Sequence, residues 1–185
     1  MMDITEKKLS SRTVYEGKIL NLHVDTVELP NGKTALREVA DHPGGVAIVA
    51  IDDNDCVLMV KQYRYVFSRL VEEIPAGKLE HGEDPDEAAL RELREETGAE
   101  PRRFLPLGEL IPSPGAYGEV LHLYLAEGLR FGVQSPDEDE FLSVYRVPFD
   151  EMVRRILLGE IRDGKTVAGV LKVFALRAQA GKDAQ

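Results

Sequence analysis

The chain has 185 residues, 43% hydrophobic and 30% charged, which suits one globular domain with a real core and leaves a disordered composition only at the ends. A formal net charge of −10 excludes general nucleic-acid binding, which needs a basic footprint. No apolar run approaches the roughly 20 residues of a membrane span, and "MMDITEKKLS" has neither the apolar region nor the cleavage site of a secretion signal, so a soluble, cytoplasmic protein is expected.

In chain order, "ILNLHVDTVEL" and "TALREVADH" read as strands flanking "PNGK", whose Asn31-Gly32 pair is favoured hairpin chemistry. Residues 1–43 therefore form a β-rich N-terminal segment, and 44–180 the main domain. "GGVAIVAID" and "CVLMVKQYR" are nearly continuous in apolar character, as strands buried on both faces are, and the polar turn "DDND" joins them. The single Cys56 lies in the second run and reads as a buried structural thiol; no intramolecular disulfide is possible. Asp84-Pro85 with Glu87 reads as an N-cap, a proline at the first helical position and an acid near the start, so a helix begins at Pro85. Gly98 ends it after about Thr97, and Ala89, Leu90 and Leu93 give it a modest apolar stripe. Further strands fall at "RRFLPLGEL", "EVLHLYLAE" and "EFLSVYRV". Helical spacing returns at Phe149, Met152, Val153, Ile156 and Leu157, and after Asp163 at Val167, Val170, Leu171 and Phe174.

The helix after Pro85 carries its acids at the unfavourable end. Glu92, Glu95 and Glu96 share one face near its C-terminus, where the helix dipole and like-charge repulsion each oppose them by a few tenths of a kcal/mol or more. Two readings follow: a solvated acidic face partnered by Arg91 and Arg94, or a ligand set for a hard divalent cation, which reverses the electrostatic sign.

The surrounding spacing resembles the signature of the Nudix hydrolases, G-x5-E-x7-R-E-U-x-E-E-x-G-U, at Gly77, Glu83, Arg91, Glu92, Leu93, Glu95, Glu96 and Gly98. The departure is Ala99, where the pattern has a larger aliphatic residue. The resemblance covers roughly Gly44 to Leu176. It implies an α/β class fold, an α/β/α sandwich around a mixed sheet, and metal-dependent hydrolysis of nucleoside diphosphates linked to another group. It further implies Mg²⁺ (or Mn²⁺) held by Glu92, Glu96 and the Ala76 carbonyl, with Glu95 as an additional ligand. Gly77 admits close backbone approach, and the Arg91–Glu83 pair ties loop to helix.

Outside the box, "PSPGAYGE" and the flanks "REVADHPGGVAIVAI", "VKQYRYVF", "LVEEIPAGKLE" and "DEDEFLSVYRV" look like segments of bacterial ADP-ribose or ADP-sugar diphosphatases. That likeness makes Arg37 and Arg64 candidates for the diphosphate or ribose. Glu73, Gly115 and Glu119 join them as substrate-side residues, and Tyr15 or Tyr63 would stack on adenine. Hydrolysis of ADP-ribose to AMP and ribose 5-phosphate is the implied reaction. A homodimer in which the N-terminal strands are exchanged is the implied assembly, with no nucleic-acid or membrane partner. The general base is sought in the acidic run Asp137–Glu140 on a loop before a strand that Phe141 would anchor. Glu140 is the first choice and Glu138 the second, with Glu95 the alternative inside the box. A Nudix enzyme for another nucleoside diphosphate sugar, a dinucleoside polyphosphate or a flavin dinucleotide remains an alternative. So do an ADP-ribose-sensing regulatory module and a purely structural protein.

Overall fold

The computed structural model describes residues 3–138 and 140–183. Its first strands are β1 (Lys7–Glu16), β2 (Asn21–Glu28), β3 (Thr34–Asp41), β4 (Gly45–Ile51) and β5 (Cys56–Arg64). After a 3-10 turn at Tyr65–Phe67 come β6 (Arg69–Glu73), β7 (Ala76–Lys78), α1 (Pro85–Thr97), β8 (Ala99–Glu100) and β9 (Arg103–Leu110). β10 (Leu121–Glu127), β11 (Arg130–Phe131), β12 (Leu142–Pro148), α2 (Phe149–Leu157) and α3 (Gly164–Asp183) complete the order. Its contacts divide the chain into two units: one holds the residues up to Gly44 together with Ile111–Val120, the other Gly45–Leu110 and the chain from Leu121 on.

The first unit is an antiparallel sheet in the order β1-β2-β3. Gly32 turns the β2–β3 hairpin at φ 78°, a left-handed conformation that glycine adopts without strain, and the Lys33 N–H donates to Asn31 Oδ1 at 3.0 Å. β1 is exposed along its whole length. The carboxylate of Asp25 on β2 is buried and shared by Lys8 Nζ at 2.9 Å and His23 Nδ1 at 2.8 Å. The segment 111–120 joins this sheet through Ala40, whose N–H donates to Ala116 O and whose carbonyl accepts from Gly118 N–H.

The second unit is built on a mixed sheet in the order β12-β5-β4-β10-β9, with β6 beside β5 and β7 beside β4. β4 runs parallel to β10 and antiparallel to β7. Every residue of β4 is buried because successive side chains face opposite layers. Ala47, Val49 and Ile51 point into the core shared with α2 and α3, through Met152, Ile156, Val170 and Val173. Val46, Ile48 and Ala50 point into the core shared with α1, through Ala88, Ala89 and Leu93. Truncating Ile48 to alanine should cost about 2–5 kcal/mol. The result is an α/β/α sandwich around a mixed sheet.

Three readings need correction. Leu90 is 39% exposed, and Ala88 takes its place in the apolar stripe of α1. Phe141 is 85% exposed and anchors nothing; β12 begins one residue later, where Leu142 enters register with Gln62. Cys56 is half-buried at the mouth of its strand, its Sγ 3.7 Å from the Asn54 carbonyl. β4 and β5 meet at Ile51↔Val57, while β6 pairs with β5 from Val60 to Arg64 and β12 lines the other edge of β5. Among the described residues no helix is long and apolar enough to cross a membrane.

Candidate active site

The acids of α1 are placed by two backbone devices. Asp84 caps the helix, accepting from the Asp86 N–H at 2.9 Å and the Glu87 N–H at 3.4 Å, and Gly98 ends it at φ 70°. Gly98 is also fixed by close packing, because a Cβ there would lie 2.8 Å from the Gly132 carbonyl. Between these ends the buried Ala88, Ala89 and Leu93 press α1 onto the sheet. The same helix face carries Glu92 and Glu96 inward, and both are buried. Their partner surface is β7, hydrogen-bonded to β4 with Ala76 opposite Ala47 and Gly77 opposite Val46. Glu96 Oε2 accepts from the Ala76 N–H at 3.0 Å. A Cβ on Gly77 would sit 1.9 Å from the Glu92 carboxyl carbon, so no other residue fits while Glu92 stays.

Arg91 organises the remaining box acids. Its Nε and Nη2 hold the two oxygens of Glu83 at 2.8 and 3.0 Å, while Nη1 donates to Glu92 Oε1 and Glu95 Oε2, each at 2.9 Å. Glu83 Oε2 also accepts from the Glu80 N–H, so the loop ahead of α1 is tied at both chain and side-chain level. These contacts hold Glu83 below the usual carboxylate range and raise Arg91 further above its ordinary value, Glu83 being the main cause of the latter.

Glu96 stands apart. Burial pushes its carboxyl up to about 8, and the charges of Glu92, Glu140 and Glu73 add to the effect. Among the described residues no Lys, Arg or His pairs with it. Glu92 is also raised, by burial first and against the pull of Arg91, with Glu140 and Glu95 contributing. Both glutamates therefore lie within electrostatic reach of Glu140.

No three His, Cys, Asp or Glu side chains among the described residues converge as they would around a metal ion. Glu92 and Glu95 lean onto Arg91, and Glu96 onto the Ala76 amide. The donor chemistry nonetheless fits a hard divalent cation: oxygen atoms alone, two carboxylates buried against backbone, and a glycine whose missing Cβ lets the Glu92 carboxylate lie against the main chain.

The other candidates divide between the units. Arg64 and Glu73 join the box in the second unit, where Glu73 is 2% exposed and accepts from Arg64 Nε and Nη2, both at 2.7 Å. Tyr63 is exposed nearby on β5. Arg37, Gly115, Glu119 and Tyr15 belong to the first unit. There Arg37 grips Glu6, with Nε to Oε2 at 2.9 Å, Glu119 lies 3.7 Å from His42 Nδ1, and Gly115 and Tyr15 are exposed.

The loop bearing Glu138 and Glu140 leaves the end of α1, where the Gly132 N–H donates to Gly98 O at 2.7 Å and the Ser135 N–H to Glu95 O at 3.0 Å. Glu138 and Glu140 are exposed on it; Asp139 lies outside the described residues. Reading the sequence missed one partner altogether. Lys165, on the first turn of α3, also donates to Glu73 Oε2. The only signal for it was Asp163, legible as the start of a helix.

Comparison with known proteins bears on this arrangement directly. The NUDIX domain profile matches residues 41–169. The chain belongs to the Nudix family. Residues 6–40 match the nucleoside diphosphate sugar hydrolase N-terminal domain. Among relatives of this Nudix protein, an ADP-ribose pyrophosphatase of Bacillus subtilis is 40% identical over 92% of this chain and 93% of its own. A methanol dehydrogenase activator of Bacillus methanolicus is 44% identical over 89% and 90%. The fold is also that of a solved ADP compounds hydrolase, with a TM-score of 0.83 over 95% of this chain and 96% of the other at 23% identity.

Proposed function

We propose that this Nudix protein hydrolyses the diphosphate of ADP-ribose and related ADP-sugars, releasing AMP and, from ADP-ribose, ribose 5-phosphate. The observation that carries the reading is Glu96: a carboxylate 2% exposed, bonded to a single amide, beside Glu92 and without an ion-pair partner among the described residues. Stability alone does not explain an acid kept there, whereas a divalent cation would. Glu92, Glu96, the Ala76 carbonyl and, released from Arg91, Glu95 are the ligands we assign to Mg²⁺ or Mn²⁺. When bound, such an ion neutralises charge on the diphosphate and acidifies the attacking water.

The chain's own residues do the rest. Water attacks one phosphorus, the bridging oxygen leaves with the other phosphate, and the water's proton passes to a carboxylate Oε of Glu140, or of Glu138. Glu140 is favoured because its charge is felt by both Glu92 and Glu96. Arg91 and Glu83 hold the box in shape. Arg64 serves the diphosphate through its bidentate geometry, with Glu73 holding it in place.

We assign the working form as a cytoplasmic homodimer. Two surfaces support it: the wholly exposed β1, and the apolar turn of Tyr65, Val66 and Phe67 with Leu70, all exposed. Elution at monomer mass at micromolar concentration would refute the dimer.

The function is tested by incubating the protein with ADP-ribose and Mg²⁺ and separating the products. AMP with ribose 5-phosphate is the expected result; free adenine or intact ADP as primary product overturns it. Other nucleoside diphosphate sugars, dinucleoside polyphosphates and flavin dinucleotide belong in the same panel. The likeness to a methanol dehydrogenase activator favours, as second reading, action on a partner enzyme, in which a chain working by contact alone releases no AMP.

A further inference from the structure

Behind the box lies a polar chain whose inner members, Lys165, Asp163 and Thr166, the reaction scheme leaves unused. It starts at the first turn of α3. Asp163 Oδ2 accepts from the Thr166 N–H at 3.0 Å and from Thr166 Oγ1 at 2.6 Å, so this carboxylate is taken up in capping the helix. The buried Thr166 Oγ1 in turn accepts from the Ile74 N–H at 2.9 Å, which pins the helix start to the backbone two residues before Ala76. Between these two, Lys165 donates to Asp163 Oδ1 at 2.9 Å and to Glu73 Oε2. Glu73, buried, passes the contact on to Arg64 through two parallel bonds of 2.7 Å.

The stoichiometry of this chain matters. In a lone Arg64–Glu73 pair the carboxylate would be held by the guanidinium alone. Lys165 also holds Glu73 Oε2, and with Asp163 the cluster counts two cations, Arg64 and Lys165, against two carboxylates, so it is neutral as a whole and acts by holding Arg64 in place. Its outer member is Arg64, partly exposed, with Nε and Nη2 bonded inward and Nη1 without a partner among the described residues. A guanidinium held by two of its nitrogens has lost most of its rotational freedom, so its remaining edge points in one direction.

We infer that Lys165 is a positioning residue for the anionic substrate: by sharing Glu73 with Arg64 it fixes the guanidinium and keeps its free edge toward the diphosphate. This rests on the hydrolase reading above. It predicts an effect on substrate binding more than on the chemical step, and an effect that passes through Arg64.

The test is a double-variant comparison of wild type, K165M, R64A and R64A/K165M in ADP-ribose hydrolysis with Mg²⁺. K165R is included to restore the charge. K165M should raise KM roughly 10- to 100-fold, the span of a charge-assisted hydrogen bond, with kcat within about threefold. Adding K165M to R64A should change KM by less than about twofold, and K165R should recover most of the loss. A second readout is the ¹H–¹⁵N signal of the Arg64 Nε–H, identified by its absence in R64A. It should shift or broaden in K165M and persist in K165R. Additive effects of K165M and R64A, or an Arg64 signal unmoved by K165M, overturn the inference. Wild type that releases no AMP overturns the hydrolase reading instead. The Arg64 signal, together with calorimetric binding of ADP-ribose to the four proteins, then still decides whether Lys165 acts through Arg64.

Discussion

Glu96→Gln should make the metal-free protein more stable while removing its activity. The magnitude follows from the site. In the folded chain the carboxyl titrates at about 8 against 4.5 for the free group, because it is buried among other acids. A folded-state value above the unfolded one means that the stability is fully present below pH about 4.5 and is lost as the pH rises through about 8. Each tenfold difference in proton affinity between the folded and unfolded chain is worth about 1.4 kcal/mol, so the loss is about 3 kcal/mol by pH 7 and about 5 kcal/mol above pH 9. Relaxation of the surroundings around a buried charge reduces these to roughly half. Glutamine keeps an oxygen for the Ala76 N–H and carries no charge. Urea unfolding in EDTA at pH 5, 7 and 9 should therefore show E96Q and wild type converging at pH 5, and the variant ahead by about 2 kcal/mol or more at pH 9. Saturating Mg²⁺ should reverse the order, since binding to the folded state alone stabilises wild type by mass action. In the same protein kcat should fall at least about 100-fold. Parallel stabilities across the pH range in EDTA would refute the reasoning, because Glu96 would then be ionised in the fold at no cost.

Gly77→Ala puts a Cβ where the Glu92 carboxylate now lies, 1.9 Å from its carbon, so that carboxylate must swing out of place. It should lower kcat by about 100-fold or more and weaken Mg²⁺ binding by calorimetry, while circular dichroism stays native. Glu83→Gln breaks the fork that Arg91 makes at 2.8 and 3.0 Å, and should cost about 1–3 kcal/mol in urea unfolding with a smaller loss of rate than E96Q. Of Glu138→Gln and Glu140→Gln, one should lower kcat by roughly 10²- to 10⁴-fold with Mg²⁺ affinity unchanged. If both keep wild-type kcat, the base lies in the box and Glu95 is the residue to substitute next.

What could be read from the sequence was what neighbouring residues decide among themselves. Asp84-Pro85 and Gly98 bound α1 because capping and left-handed backbone are local chemistry, and the Asn31-Gly32 hairpin is local in the same way. The alternation along β4 shows as an unbroken apolar run because both faces are covered. Contacts between distant segments left no such mark. Lys165 meets Glu73 across 92 residues, and Tyr145 meets Glu72 across 73. β7 is three residues long and centred on a glycine, too short for any periodicity to declare it a strand. That strand decides the question the sequence left open. Spacing alone places Glu92, Glu95 and Glu96 on one helical face and cannot say whether water or protein covers it. β7, paired to β4, lays the backbone of Ala76 and Gly77 over the first and last of them and leaves Glu95 at the rim with Arg91. An exposed acidic face would need no explanation beyond solubility. A covered one carries a desolvation cost at every pH where its acids are charged, and such a cost is retained when something with the opposite charge removes it in the working state.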